Sequence, residues 1–253
     1  YHKILNETQS AGAGAPYALA RAEFARQMGY LAENGFVAAT LDEILAEPGS
    51  PRKRVVITFD DGYGDNFTEA LPVLLEFSLK ATFFVIVNRI GTPDFMTWKQ
   101  LLALRDAQMD VQSHTLNHRP LTRLSEADLV TELAGSRILL RGRLGKEIEF
   151  ISFPHGVYNR RVVDACKEAG YLGSCNSRFG YFDPHSDPFA IERFMIKSTY
   201  DFNTFVQMVN GQWLFRMKVG IPSQFKQGVA RVIGFDTYQR IYRAVHRETL
   251  TVS

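Results

Sequence analysis

The sequence predicts an α/β fold built on a parallel sheet, with its chemistry at one rim of that sheet. Two observations predict it. Short apolar runs rich in Val, Ile, Phe and Thr alternate with helical patterns along most of the 253 residues. Polar clusters at Asp60-Asp61-Gly62, His114 to His118 and Pro154-His155-Gly156 each follow one of those runs. The C-terminal ends of parallel strands share one rim, so clusters placed there face a common mouth.

The elements follow in order. Tyr1-His2-Lys3-Ile4 reads as the end of a strand, so the natural chain is expected to extend upstream. Residues 6–16 are polar and Gly/Ala-rich, hence a loop. Residues 18–33 predict a helix, with Leu19, Phe24, Met28 and Leu31 at near-helical spacing and Asn34-Gly35 as its stop. Residues 36–39 predict a strand, and Thr40-Leu41-Asp42-Glu43 has capping-box form. Val55 to Phe59 predicts the buried strand that runs into Asp60 and Asp61. A helix is expected from the turn at 62–66 to Leu79, with Pro72 in its first turn or at a kink. Residues 81–87 predict a buried strand, and Thr97 to Gln100 opens a helix to about 108. Met109 to Val111 predicts the strand before the His segment. Residues 125–144 predict one long amphipathic helix marked by Leu129, Leu133, Ile138, Leu140 and Leu144, with Gly145 as stop. Strands are expected over 150–153, 171–175 and 190–196, with a long loop over 176–188. Asn159 caps a helix to Ala169, and Asp201 starts one to about 210.

Two carboxylates side by side at a strand end are costly to bury unless a cation, hydrogen bonds or protonation compensates. Asp60-Asp61 therefore reads as a metal or acid/base site, against a solvated turn with Gly62 at positive φ. His114 and His118 are four apart, which lets two imidazoles converge on one ion if the segment coils. Two His and one carboxylate form a common catalytic metal set with positions left open for water and substrate.

Thr58-Phe59-Asp60-Asp61-Gly62 with His114-Thr115-x-x-His118 resembles the polysaccharide deacetylases, the NodB-homology or family-4 carbohydrate esterases. Ser152-Phe153-Pro154-His155-Gly156 resembles their third motif in degenerate form. The likeness runs from about Tyr1 to Gly211. It implies a distorted (β/α) barrel of fewer than eight regular units over 1–211; residues 212–253, beyond the likeness, read as a basic helical extension. It implies one divalent ion, Zn foremost with Co, Ni or Mn as alternatives, held by Asp61, His114 and His118. It implies Asp60 as general base, the other reading being a second metal ligand. The implied reaction removes N-acetyl groups from an amino-sugar polysaccharide or lipid-linked sugar and releases acetate. An extracytoplasmic or membrane-associated setting follows from the same resemblance. A deformylase or other amide hydrolase, and a carbohydrate-binding or assembly module, are the competing functions.

The sequence departs from the family pattern in two places. The Arg that usually orients the base in the third motif is replaced by Ser152, and the usual aromatic after Pro is His155. Arg193 is the candidate substitute, with a salt bridge to Glu192 or another acid as the plain alternative. The C-terminal Leu-x-His that supplies the general acid is absent after Ile196, and His246 lies in a basic stretch. Tyr1-His2 looks like the N-terminal Tyr-His of the circularly permuted branch that includes poly-N-acetylglucosamine deacetylases. His2 is therefore the expected general acid, with His185 as the other candidate. A backbone N–H at Pro154-His155 is the expected oxyanion donor, and Tyr63, Tyr158 and Tyr181 are candidates for stacking on sugar rings.

A net charge of +2 gives no case for nucleic acid as partner. No apolar run reaches transmembrane length, and no signal-peptide pattern is present. Cys166 and Cys175 lack metal-binding spacing and read as buried free thiols. Arg216, Lys218, Lys226, Arg231, Arg240, Arg243 and Arg247 interleave with apolar residues near the C-terminus. That stretch reads as a helical extension packed on the barrel. Peripheral contact with a membrane or polysaccharide-export machinery is the sharper reading.

Overall fold

The computed structural model of the protein describes residues 1–6 and 16–212. Strand β1 (Lys3–Leu5) pairs in parallel with β2 (Ala18–Ala20), which leads into helix α1 (Arg21–Glu33). A second parallel pair, β3 (Val37–Ala38) and β4 (Arg54–Val55), brackets α2 (Leu41–Ala46). The main sheet follows. Strands β5 (Thr58–Phe59), β6 (Thr82–Val85), β7 (Asp110–Ser113), β8 (Phe150–Ser152) and β9 (Gly173–Cys175) pair in that order, all parallel. Helices α3 (Leu71–Glu76), α4 (Trp98–Asp106), α5 (Glu126–Val130), α6 (Ser136–Leu144) and α7 (Arg160–Glu168) lie in the crossovers. Helix α8 (Phe202–Val209) ends the described chain. The result is a curled half-barrel of the expected (β/α) type.

Helices cover this sheet, so β6 and β7 are buried at every residue. Phe59 stacks on Phe83 at 4.8 Å between ring centroids and on Tyr1 at 5.4 Å. Tyr1 extends the sheet past β5. Its nitrogen donates to the Thr58 carbonyl at 2.9 Å, and its carbonyl accepts from Asp60 N–H at 3.0 Å. At the far edge, among the described residues, a single bridge joins Ile191 to Cys175. The gap between the two edges is crossed by a side chain: Arg193 donates to Thr58 Oγ1 at 3.2 Å.

Several local signals translate directly. Glu43 accepts from Thr40 N–H at 3.0 Å and Gln100 from Thr97 N–H at 2.8 Å, closing both capping boxes. Asn159 and Asp201 accept from Val162 N–H and Thr204 N–H, capping α7 and α8. Cys166 and Cys175 are free and buried.

Other expectations are corrected. The strand expected over Val55–Phe59 is split, because the chain changes partner there: Arg54–Val55 pairs with β3 and Thr58–Phe59 with β6. Residues 18–20 are strand rather than helix, since β1 supplies a ladder. Residues 190–196 form no regular strand. Pro188–Ala190 is a 3₁₀ turn, and Arg193 N–H donates to the Arg178 carbonyl instead of a ladder. His2 precedes β1 rather than closing a strand. Two expected helices contain π-turns, at Asn66–Ala70 and Thr131–Gly135. The first widens the chain just before Pro72, which has no N–H to give. Ile138 is 65% exposed, so the inward stripe of the second runs through Leu129, Leu133, Leu140 and Leu144. The basic C-terminal stretch and His246 lie outside the described residues. Among the described residues no helix is long and apolar enough to cross a membrane.

Candidate active site

The ends of β5 and β7 bring three ligand-type side chains together. Asp61, His114 and His118 each offer one atom, and these atoms lie within 4.8 Å of one another. His114 Nε2 is 3.4 Å and His118 Nε2 3.6 Å from Asp61 Oδ1. Atoms each about 2 Å from one ion at tetrahedral angles lie roughly 3.3–3.5 Å apart, so the set fits a divalent cation. The second ring nitrogen of His114 supports that fit. Its Nδ1 is 2.7 Å from the Ser152 carbonyl, which can only accept. Nδ1 therefore carries a proton, and Nε2 is the nitrogen left to face an ion. Burial, aided by the neighbouring His114, lowers His118 to about 4, so that ring is neutral as a ligand must be. Burial opposes protonation of His114 as well, but its bond to Asp61 and the charges of both acids outweigh it and raise its pKa. The pocket thus attracts positive charge.

Backbone shape makes this convergence possible. Asp61, Thr115, His118 and His155 all have positive φ, at 76°, 68°, 57° and 59°. Such values are uncommon outside glycine, and a β-branched Thr there is an outlier. Gly62, at φ 82°, could not be replaced freely: an added Cβ would lie 2.9 Å from Val85 Cγ1. The reversal at Asp61 lets neighbouring acids reach different partners on one side of the sheet.

Asp60 is 5% exposed and held by a bidentate pair with Arg193, at 2.9 Å to Oδ1 and 2.8 Å to Oδ2. Ser152 bridges the two, donating to Asp60 Oδ2 at 3.2 Å and accepting from Arg193 at 2.9 Å. A short hydroxyl at position 152 leaves room for a guanidinium arriving from the other sheet edge. Arg193 does not pair with Glu192, whose carboxylate faces Arg178 at 3.4 Å. Burial would push Asp60 up, but the Arg193 charge, then His114 and the Arg193 hydrogen bonds, hold it far below the usual carboxylate range.

His2 is near enough to feel the charges of Asp60, Asp61 and His114, while its ring stacks on Tyr17 at 5.0 Å. Asn66 donates to its carbonyl at 2.6 Å. His155 packs its ring on His118 at 4.7 Å. The Tyr63 ring stacks on Phe95 at 5.0 Å, Lys3 Nζ sits 4.4 Å from its centroid, and the charge of Asp61 bears on its hydroxyl. Burial, then Asp61, pushes it up to about 12. Tyr158 stacks on Phe153, and Tyr181 donates to the Met208 carbonyl of α8 at 3.1 Å. Tyr181 also lines a cavity of about 380 Å³ with Tyr1, Leu41, Arg193 and Met208. His185 is exposed on its loop.

The model of the polysaccharide deacetylase family matches residues 47–173, half of the chain. The chain belongs to that family. A relative in Bacillus subtilis (strain 168), YxkH, assigned to the polysaccharide deacetylases, is 31% identical over 175 residues. That match covers 68% of this chain and 63% of YxkH. A poly-β-1,6-N-acetyl-D-glucosamine N-deacetylase of Staphylococcus aureus (strain MSSA476) is 25% identical over 197 residues, 71% of this chain and 68% of its own. Among solved structures, the Streptococcus pyogenes deacetylase PplD superposes with a TM-score of 0.77 at 23% identity. The overlap covers 83% of this chain and 95% of PplD, so the fold is that of this family.

Proposed function

We propose that residues 1–211 form a metal-dependent hydrolase that removes N-acetyl groups from an amino-sugar polymer. One observation carries the reading: a fork-held buried carboxylate, Asp60, beside the converging atoms of Asp61, His114 and His118. A binding module has no need of a base held beside a cation site. Asp61, His114 and His118 would hold the ion, with Zn²⁺ the first candidate. When bound, it would polarise the substrate carbonyl and lower the pKa of water, to about 7 for Zn²⁺.

The chain's own groups then divide the work. Arg193 and Ser152 keep Asp60 ionised and aimed. The fork also makes Asp60 a weak base, so its proton must come from an acidified donor. Water oxygen bonds to the acetyl carbon as Asp60 takes a proton from it. The backbone N–H of His155 is assigned to the carbonyl oxygen as charge grows there. The C–N bond then breaks, its electron pair passing to nitrogen, and His2 is assigned to protonate that nitrogen. Burial lowers His2 to about 4, so it enters neutral and passes on the proton that Asp60 took from water, which leaves Asp60 ionised again. Acetate and a free amine leave. Tyr63, Pro154, Tyr158 and Tyr181 remain candidates for substrate contact.

The likeness to the Staphylococcus enzyme makes β-1,6-linked N-acetylglucosamine the first polymer to test. An extracytoplasmic or membrane-associated setting suits such a substrate. Acetate release should be measured on β-1,6-linked oligomers, chitooligosaccharides and peptidoglycan fragments, with metal-stripped and metal-restored protein. Release only after metal is restored is expected. No release from any of them would overturn the reading.

His2→Ala should retain metal and lose roughly 10²–10⁴-fold in turnover, the usual worth of a positioned proton donor. Metal analysis and acetate kinetics check this together. A normal rate would pass the role to solvent.

A further inference from the structure

The loop carrying His118 is moulded on a buried carboxylate. Glu132 lies in the π-turn Thr131–Gly135 and is 1% exposed. Its Oε2 accepts from the backbone N–H groups of Leu116 at 3.0 Å and Asn117 at 2.9 Å. Its Oε1 accepts from the Asn117 side-chain amide at 2.8 Å. Both donor residues lie between His114 and His118. A charge buried this deeply is tolerated because three donors satisfy it.

The π-turn and the first residue of α6 grip the same loop twice more. Gly135 gives Leu116 room: a Cβ there would meet Leu116 Cδ1 at 2.9 Å. Ser113 donates to the Ser136 hydroxyl at 2.9 Å, and Ser113 Oγ accepts from Thr115 N–H at 3.1 Å. Residues 132, 135 and 136 are three and four apart, so they share the face turned to the loop. The loop needs such a grip, because Thr115 and His118 both hold left-handed backbone. Conformations of that kind persist only where the surroundings over-determine them.

We propose that Glu132 is a positioning residue for the metal centre. Its carboxylate pins the Leu116–Asn117 turn and so sets the spacing of the His114 and His118 ligand nitrogens. The inference rests on the reading of Asp61, His114 and His118 as a metal set.

The test is Co²⁺ titration of the metal-stripped chain, read by visible absorption and by competition with a chelator. Glu132→Gln keeps shape but sets an N–H₂ against a donor. It should weaken Co²⁺ binding by roughly 10–100-fold, the usual effect of losing a ligand's outer support, and shift the absorption bands. The double variant Glu132→Gln/Asn117→Asp restores the match. There the new amide donates to the new carboxylate, whose other oxygen can still accept from Asn88 Nδ2, now 2.7 Å from Asn117 Oδ1. Binding should return to within about threefold of the starting protein. A normal titration of Glu132→Gln, or a loss that the double variant does not recover, overturns the proposal. Should Glu132→Gln not fold, Asn117→Ala removes the amide bond to Glu132, together with the bond from Asn88, at an exposed residue. It is expected to weaken binding several-fold, and a normal titration there overturns the proposal as well. His114→Ala is the control. If it binds Co²⁺ like the unchanged protein, the metal reading is wrong and the proposal falls with it.

Discussion

His114→Ala is expected to purify without metal while remaining folded. His114 is 2% exposed and would supply one of three protein ligands. Losing only the outer support of a ligand costs about 10–100-fold in affinity, so losing the ligand should cost more than about 100-fold. The substitution also leaves a small void and an unpaired Ser152 carbonyl. Together these should destabilise the chain by roughly 2–3 kcal/mol. For a domain of this size that lowers the melting temperature by roughly 4–12 °C. Elemental analysis of both proteins, prepared without chelator, is the measurement, with thermal melting beside it. Equal metal content would sink the assignment of Asp61, His114 and His118.

The parts of this molecule legible in sequence are those set by local chemistry. An acid pair after a strand, and two His four apart after another, need only the strand ends to converge. The capping residues Thr40, Thr97, Asn159 and Asp201 act within three residues of themselves, so their role shows in any short window. Arg193 was legible only as a candidate, because its partner Asp60 is 133 residues away. What joins them is closure of the barrel, which no local pattern carries. Glu132 carried no signal at all. An acid on an amphipathic helix reads as a solvated face, yet the π-turn and the His-bearing loop bury it. The division of Val55–Phe59 between two partners was hidden for a similar reason. Apolar β-branched residues report burial, not which neighbour supplies the hydrogen bonds. Positive φ at Thr115 had no sequence sign either, since a β-branched residue ordinarily avoids it.

Asp60→Asn should separate catalysis from metal binding. Asn keeps the shape and one acceptor but cannot take a proton from water. Turnover should fall by at least about 100-fold and as much as 10⁴-fold, the range for a general base. Metal content should stay near one ion per chain, because Asp61, His114 and His118 are untouched. A third quantity changes too. Arg193, its side chain 10% exposed, lies against Asp60 with its fork on both carboxylate oxygens. Removing one charge of a buried pair strands the other, at a cost of roughly 3–5 kcal/mol. The retained carbonyl acceptor, Ser152 and the Asn176 carbonyl still bond the guanidinium, so the low end applies. The melting temperature should therefore drop by roughly 6–12 °C with the fold intact. The three readouts decide between roles. Lost turnover with metal retained marks a base. Lost metal would make Asp60 a ligand. Unchanged turnover with only the melting shift would reduce the Asp60–Arg193 pair to the side-chain bridge that closes the sheet.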